Sequence, residues 1–260
     1  MKKILVPISF SKHSTIALQQ AYSLAVQHNS ILYLLHCCPA EHYNRPFDFG
    51  KQAYEDGIKN MLTDLFKQCS INNDKIDFQT IIAEGPVSHV LEKISISYNL
   101  IVMCRNVEKQ SNTIVKLSDK LTYIISHSKC PVLLTHNYLQ DFSFKNASKV
   151  WHIERKENEK EFIHSKLAKL GLTEKAITTK SIAQEKYSSS FWRNIINFSK
   201  SHNKSLLIKI TESYKEEEIE LIVFVMHQTN LFEQFIKNDI FSLLCQYQIP
   251  FIIFNKKKGE

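Results

Sequence analysis

The chain has 260 residues, of which 43% are hydrophobic and 23% are charged, a balance typical of a folded globular protein rather than a disordered or fibrous one. Its apolar runs fall short of the roughly 20 residues that a membrane-spanning helix needs, so no membrane association is expected. A net charge of +7 raises the question of an acidic partner such as nucleic acid.

The positive charge is spread along the chain. Residues 1–137 carry 14 basic and 11 acidic side chains, and residues 138–260 carry 19 and 15. A nucleic-acid-binding protein concentrates basic residues on one face or arm. The tight basic run at 256–258 is interpreted as a solubilising tail. Nucleic-acid binding is therefore not expected, and weak binding through the basic surface remains the third alternative for function.

The cysteines and the N-terminus indicate a compartment. Pro7 and Ser9 break the short apolar run at the start of the chain, so no signal peptide is expected. No pair of cysteines has the CxxC spacing, and we predict buried thiols in a reducing cytoplasm. The cysteines are Cys37, Cys38, Cys69, Cys104, Cys130 and Cys245.

In chain order, the first half alternates strands and helices. Short β-branched runs of the kind found in buried parallel strands predict strands at 3–8, 31–37, 76–83, 100–103 and 132–134. Ser11 and Ser14 are candidate N-caps, and Gly85 with Pro86 predicts a turn that opens a helix. Five strands with intervening helices predict a doubly wound α/β sheet.

Each predicted helix has one apolar face. The buried faces are expected to contain Ala17, Ala21, Leu24 and Ala25; then Tyr54, Ile58, Met61, Leu62, Leu65 and Cys69; then Val87, Val90, Leu91 and Ile94; and finally Leu117, Leu121, Ile124 and Ile125.

The second half repeats a pattern of the first. An apolar run at 100–103 precedes Pro131 by 31 residues, and a run at 221–224 precedes Pro250 by 29, which fits a strand, helix and parallel strand. We predict domains at 1–137 and 138–260, the second diverged. Residues 206–210 are either a sheet strand or an edge hairpin. Further predicted elements are strands at 150–153, 175–182 and 220–226 and helices at 159–170 and 191–202; residues predicted to pack in the core or between the domains are Trp151, Trp192, Phe232, Phe235 and Phe241.

These motifs together resemble the universal stress protein family. The resemblance rests on Ile4-Leu5-Val6-Pro7 with Phe10-Ser11, on Leu34-Leu35-His36, on Gly85-Pro86, and on the runs at 100–103 and 130–133. It covers residues 1–137, and 220–255 resemble a diverged second copy. It implies two tandem Rossmann-like, adenine nucleotide alpha hydrolase-like domains with five-stranded parallel sheets. It also implies an internal pseudo-dimer in which strands 132–135 and 251–254 meet.

ATP-binding members of the family carry a glycine-rich stretch after the fourth strand, where bare backbone approaches phosphates. Here its positions fall on Cys104, on Val107 and on Leu117 or Ser118. The acidic residue that contacts the nucleotide in binders falls on Ser9, and Cys37 is a further altered pocket position. In the second half Glu154 is a loose substitute for that acid. Five glycines in 260 residues is about 2%, against a usual figure of about 7%.

An alternative keeps the nucleotide. Side chains after the fourth strand could bind phosphate in place of bare backbone, and such a site would make the protein an adenine-nucleotide-binding switch. The candidate phosphate ligands are Arg105, Lys109, Lys116 and Ser118.

Metal and catalytic sites are not expected. His36, Cys37 and Cys38 are adjacent, but neighbours on a strand point to opposite faces, so only His36 and Cys38 share a side. Cys104 follows the fourth strand and would need a base such as His127 or His36 to act as a nucleophile.

The sequence therefore predicts a non-catalytic stress-response or interaction module that has lost ATP binding. It predicts protein partners and leaves open whether two copies of the chain pair into a homodimer. No cofactor is expected.

Overall fold

The computed structural model describes residues 1–38, 50–70, 76–105, 118–136, 143–144, 147–154, 159–172, 177–181, 219–227 and 249–256. These residues build one nine-stranded sheet in the order β3-β2-β1-β4-β5-β9-β8-β6-β7. Its helices lie on both faces, so the predicted α/β class is confirmed. The predicted domain boundary near residue 137 lies outside the described residues.

The first half forms five parallel strands, as predicted. Strand β1 lies at its centre, with β2 on one side and β4 on the other. The strands are β1 (Lys3–Pro7), β2 (Ile31–Cys38), β3 (Phe78–Glu84), β4 (Leu100–Cys104) and β5 (Val132–Thr135).

Local sequence signals explain where the helices begin. The Ser11 hydroxyl accepts a hydrogen bond from the Ser14 amide at 3.3 Å and caps α1. Pro86 is the N-cap of α3, one position before the predicted first turn. The helices are α1 (Lys12–His28), α2 (Gly50–Cys69), α3 (Val87–Ile94), α4 (Asp119–His127) and α5 (Glu159–Lys169).

The predicted apolar faces form two core layers. One lies between the sheet and α1, α2 and α5, and the other between the sheet and α3 and α4. Met61 was predicted to be buried and is 51% exposed. It lies about 60° around the helix from Ile58, at the margin of the apolar stripe. Leu117 lies outside the described residues.

The second half supplies four parallel strands to the described part of the sheet. They are β6 (Val150–Glu154), β7 (Ile177–Ser181), β8 (Leu221–His227) and β9 (Phe251–Lys256). Trp151 on β6 is buried in the same core layer as α4, as predicted. The predicted helix 191–202, the open segment 206–210, and Trp192, Phe232, Phe235 and Phe241 lie outside the described residues.

Matching backbone bonds align the two halves. The Ile101 amide bonds the Pro131 carbonyl, and the Ile222 amide bonds the Pro250 carbonyl. In the same way the amides of Asn99 and Glu220 bond the carbonyls of Lys3 and Lys149. The strand register therefore makes 150 equivalent to 4, 222 to 101, and 251 to 132.

The same side-chain clasp occurs once in each half. The Asn99 carbonyl oxygen Oδ1 accepts hydrogen bonds from the amides of Lys2 and Lys3 at 3.1 and 2.9 Å. At the equivalent position, Glu220 Oε2 accepts from the amides of Ser148 and Lys149 at 2.6 and 3.1 Å. Each clasp ties the start of the central strand to the strand beside it.

Because the clasp needs an acceptor and not a charge, Glu220→Asn should keep most of the stability, and Glu220→Ala should lose about 0.5–1.5 kcal/mol, since these hydrogen bonds are exposed. Chemical denaturation of the two variants measures the difference. Equal losses in both would show that the carboxylate charge, and not the acceptor, stabilises the strand start.

The two halves meet where β5 pairs antiparallel with β9. Leu133 faces Ile252, and the two residues are equivalent by register, so a pseudo-two-fold axis passes between them. On either side Val132 faces Ile253 and Leu134 faces Phe251. This pairing, called the seam below, continues both core layers from one half into the other.

Among the helices in the described ranges, none is long and apolar enough to cross a membrane.

Candidate functional site

A cleft of about 600 Å³ opens at the carboxyl ends of β1, β2 and β4. The strands on the two sides of β1, β2 and β4, lead to helices on opposite faces of the sheet. The place where the connections change face is called the switch point, and open parallel sheets bind ligands there. The polar and soft residues that line the cleft are Ser9, Ser11, His13, Ser14, His36, Cys37, Met103, Cys104 and Lys120.

The turn after β1 presents hydroxyl groups. Ser9 Oγ and Ser11 Oγ lie 3.0 Å apart, and Ser11 also caps α1. Phe10 between them has a φ of 57°, a conformation uncommon outside glycine. Its ring packs on His36, with the ring centroids 5.0 Å apart. This turn also contains Ser9, a neutral residue at the position where nucleotide-binding relatives are expected to carry an acid.

His36 is oriented by the backbone. Its Nδ1 lies 2.9 Å from the Ile8 carbonyl oxygen. Since a carbonyl only accepts hydrogen bonds, Nδ1 carries a proton and donates it to this bond. The histidine thus fixes the end of β1 against β2.

The two cleft cysteines favour the protonated thiol. Burial, with a smaller contribution from Cys38, raises the pKa of Cys37 to about 11, and Lys120 opposes that rise. Burial also raises the pKa of Cys104, although Thr135 and Arg105 oppose it. The thiolate is the nucleophilic form, so neither cysteine is activated for covalent chemistry in this arrangement.

The bases considered for Cys104 lie in different places. His36 lines the same cleft. His127 instead stacks on Tyr123, with ring centroids 3.9 Å apart, and its Nδ1 lies 3.0 Å from the Tyr123 carbonyl oxygen. His127 is not among the residues that line the cleft.

Arg105 lies in the seam and not in the cleft. Its side chain is fully buried, and Nη2 donates a hydrogen bond to the Ile249 carbonyl at 2.7 Å. Its guanidinium carbon lies 4.4 Å from the centroid of the Phe251 ring. A phosphate in the cleft would therefore have to compete with these contacts for the predicted ligand.

Ser118 and Lys120 open α4 beside the cleft. The Ser118 hydroxyl accepts from the Leu121 amide at 3.3 Å and caps the helix, which engages the hydroxyl predicted to bind phosphate. Lys120, two residues later, lines the cleft and was not predicted. Its place in the first turn after a serine cap was the available sequence signal. Val107, Lys109 and Lys116 lie outside the described residues.

The described lining of the cleft has a positive bias. His13, His36 and Lys120 contribute basic groups, and no aspartate or glutamate is among the lining residues described. The capped N-terminus of α1 adds a partial positive charge. The cleft can therefore attract an anion, but its described walls offer no carboxylate to hold a divalent cation.

The strand alternation predicted for the possible soft-metal ligands is confirmed. Cys38 lies in the core layer of α1, where Tyr54 Oη is 3.6 Å from its sulfur, and Cys37 packs against the opposite layer. Across the described ranges, no group of three or more His, Cys, Asp or Glu residues could hold a metal ion.

In the second half, the register corrects one alignment. Glu154 is equivalent to Ile8, so it is one residue away from the counterpart of Ser9. Trp151, at the position of Leu5, fills the core layer. The expected substitution of the acid by Glu154 therefore does not follow from the strand register.

A switch-point cleft in a doubly wound parallel sheet defines a Rossmann-like α/β protein. The family model described as "Universal stress protein family" matches residues 1–136. The chain belongs to the universal stress protein family, as its motifs suggested.

Solved structures with low sequence identity share this fold. A universal stress protein from Archaeoglobus fulgidus DSM 4304 is 13% identical, with a TM-score of 0.64, and the match covers 99% of this chain and 97% of that one. A functionally unknown protein from Pseudomonas aeruginosa PAO1 is 14% identical, with a TM-score of 0.58 and coverages of 98% and 92%. A search of curated protein sequences finds no match.

Proposed function

We propose that this universal stress protein is a non-catalytic module of the stress response that acts through protein partners and has lost ATP binding. The observation that carries the proposal is the position of Arg105. Arg105 is the first residue after β4, and its side chain contacts Ile249 and Phe251 at the seam. A phosphate-binding loop at this point would instead direct its groups towards the cleft.

The cleft chemistry supports the same proposal. Ser9 replaces a carboxylate, and the thiols of Cys37 and Cys104 favour the protonated state. Neither group is suited to hold Mg²⁺, which prefers carboxylate and phosphate oxygens. A catalytic role is not part of the proposal, because no activated nucleophile or base is assigned.

The seam supports an internal pseudo-dimer. In the described sheet β9 covers the edge of β5, so a partner or a second copy of the chain would have to use another surface. The five cysteines in the described ranges are free thiols, which suits a cytoplasmic location. Binding to nucleic acid is not proposed.

An adenine-nucleotide-binding switch is the second candidate. The volume of the cleft, about 600 Å³, and the basic lining contributed by His13 and Lys120 favour it. Cavities of this size are typical of small-molecule sites. In this candidate, the nucleotide would change which partners the protein binds.

A thermal-shift titration with ATP, ADP and AMP, with and without Mg²⁺, separates the two candidates. We expect no saturable shift, whereas a ligand at 100 times its Kd would stabilise the fold by about 2.7 kcal/mol. A saturable shift that Lys120→Met weakens would establish a nucleotide site in the cleft and contradict the loss of binding. Lys129→Met, which changes a lysine outside the cleft lining, is the matched control.

A further inference from the structure

A fully buried histidine lies on the central strand of the second half. His152 on β6 is 0% exposed, and neither ring nitrogen has a hydrogen-bond partner among the described residues. A neutral imidazole carries one donor and one acceptor, and burying such groups without partners lowers stability. An unsatisfied group of this kind calls for a physical explanation.

A buried carboxyl group lies close to this imidazole. Glu159, the first residue of α5, is 1% exposed, and its Oε2 lies 3.9 Å from His152 Nε2. His164, also on α5, acts electrostatically on the same ring. On β8 the residue paired with His152 is the apolar Val223. Within the described ranges, the titratable groups that act on His152 therefore both come from α5.

The first half lacks this pair. By register His152 is equivalent to Val6, a fully buried core residue. The same sequence offset makes Glu159 equivalent to His13, which lines the open cleft. The second half thus has a buried histidine and glutamate where the first half has an apolar core and an open site.

We propose that His152, buried beside Glu159, acts as an acid-sensitive latch between β6 and α5, so that acidification opens the contact between these two elements while the first half stays closed. When the contact opens, water reaches the imidazole and the ring takes up a proton. That proton must be released before the contact can close again.

The direction follows from the proton affinities of the two states. Burial lowers the pKa of His152 from 6.5 to about 4; Glu159 opposes this shift and His164 adds to it. Between pH 4 and pH 6.5 the open state therefore binds more protons than the closed state. The closed state loses stability as the pH falls from about 6.5 towards 4. From pH 7.5 to pH 5 the ratio of open to closed forms should rise about 30-fold.

Opening would expose apolar surface. Ile163 and Leu167 on α5 are fully buried in the closed state, and water would reach them when the contact opens. The latch does not depend on whether the cleft binds a nucleotide.

A second buried histidine must be controlled for. Burial, with a smaller effect of Arg105, lowers the pKa of His136 to about 4, and this residue follows β5 at the seam. Its equivalent in the second half is Asn255, whose Nδ2 donates to the Ile125 and Ser128 carbonyls. His136→Asn therefore removes the titration at the seam by copying a residue that the chain already uses there.

The test is hydrogen exchange of the full chain at pH 7.5 and pH 5, in the wild type and in His136→Asn. Rates are divided by the intrinsic rate at each pH. In both proteins, the protection factors of amides in β6 and α5 should fall about 30-fold from pH 7.5 to pH 5. Those of amides in β1 and α1 should fall much less. Equal losses in both halves would overturn the proposal.

Two variants test the latch residues. His152→Val, which copies Val6, should abolish the pH-dependent loss in α5. Glu159→Gln should leave the loss nearly unchanged, because at pH 5 a ring with a pKa of about 4 is already mostly unprotonated in the closed state. An undiminished loss in His152→Val would overturn the proposal. Since a variant could fail to fold, an NMR titration of the His152 ring in the wild type provides a second test. Protonation near pH 6.5 in the closed state would also overturn it.

Discussion

The double variant Val132→Asp, Ile252→Asp is expected to unfold the protein or separate its two halves. Both side chains are 0% exposed in the seam, and they belong to opposite core layers. Each substitution therefore brings a carboxylate into a different dry layer, at a cost of several kcal/mol. The sum is comparable to the entire stability of a typical domain, about 5–15 kcal/mol.

Thermal melting followed by circular dichroism, together with limited proteolysis, measures this effect. The control is Val132→Ile with Ile253→Val, which exchanges two facing side chains of one core layer and should cost less than about 1.5 kcal/mol. If the aspartate variant melts at the same temperature as the wild type, the pairing of β5 with β9 does not hold the halves together.

Replacing Arg105 is expected to have the second largest effect. Arg105→Ala removes the bond to the Ile249 carbonyl and the contact with the Phe251 ring, and it leaves a cavity in the seam. Together these losses should lower the unfolding free energy by about 2–4 kcal/mol. Arg105→Met copies the equivalent residue, Met226, and should lose less because it refills the space without burying a charge.

A neighbouring histidine gives an independent readout. The positive charge of Arg105 contributes to the low pKa of His136, so Arg105→Met should raise the pKa of His136 towards 6.5. NMR titration of that ring measures the change. If the variant weakens nucleotide binding but leaves stability and the His136 titration unchanged, Arg105 acts as a phosphate ligand and its position in the seam is not the functional one.

The strands were predictable because their signals are local. The β-branched run of β1 and the proline before β5 and β9 are visible in short windows of sequence, and burial on both faces requires such runs. The serine cap of α1 is equally local. Met61 was misassigned because helical periodicity defines the centre of an apolar stripe better than its margin.

The site was less predictable because its contacts join distant segments. Arg105 follows a strand whose loop binds phosphate in ATP-binding relatives, and only the register of β5 with β9 brings Ile249 and Phe251 to it. The serine cap marks the start of α4 in the sequence, but only the folded sheet brings Lys120 to the end of β2 beside Cys37. The pair His152 and Glu159 is likewise visible only when β6 and α5 are packed together.

Mass spectrometry of the native, freshly purified chain tests the proposed loss of ATP binding most directly. We predict the mass of the polypeptide alone, and a denatured sample that releases no adenine nucleotide into the filtrate. A stoichiometric adenine nucleotide, retained through purification and released on denaturation, would contradict the proposal and identify the cleft as a working nucleotide site.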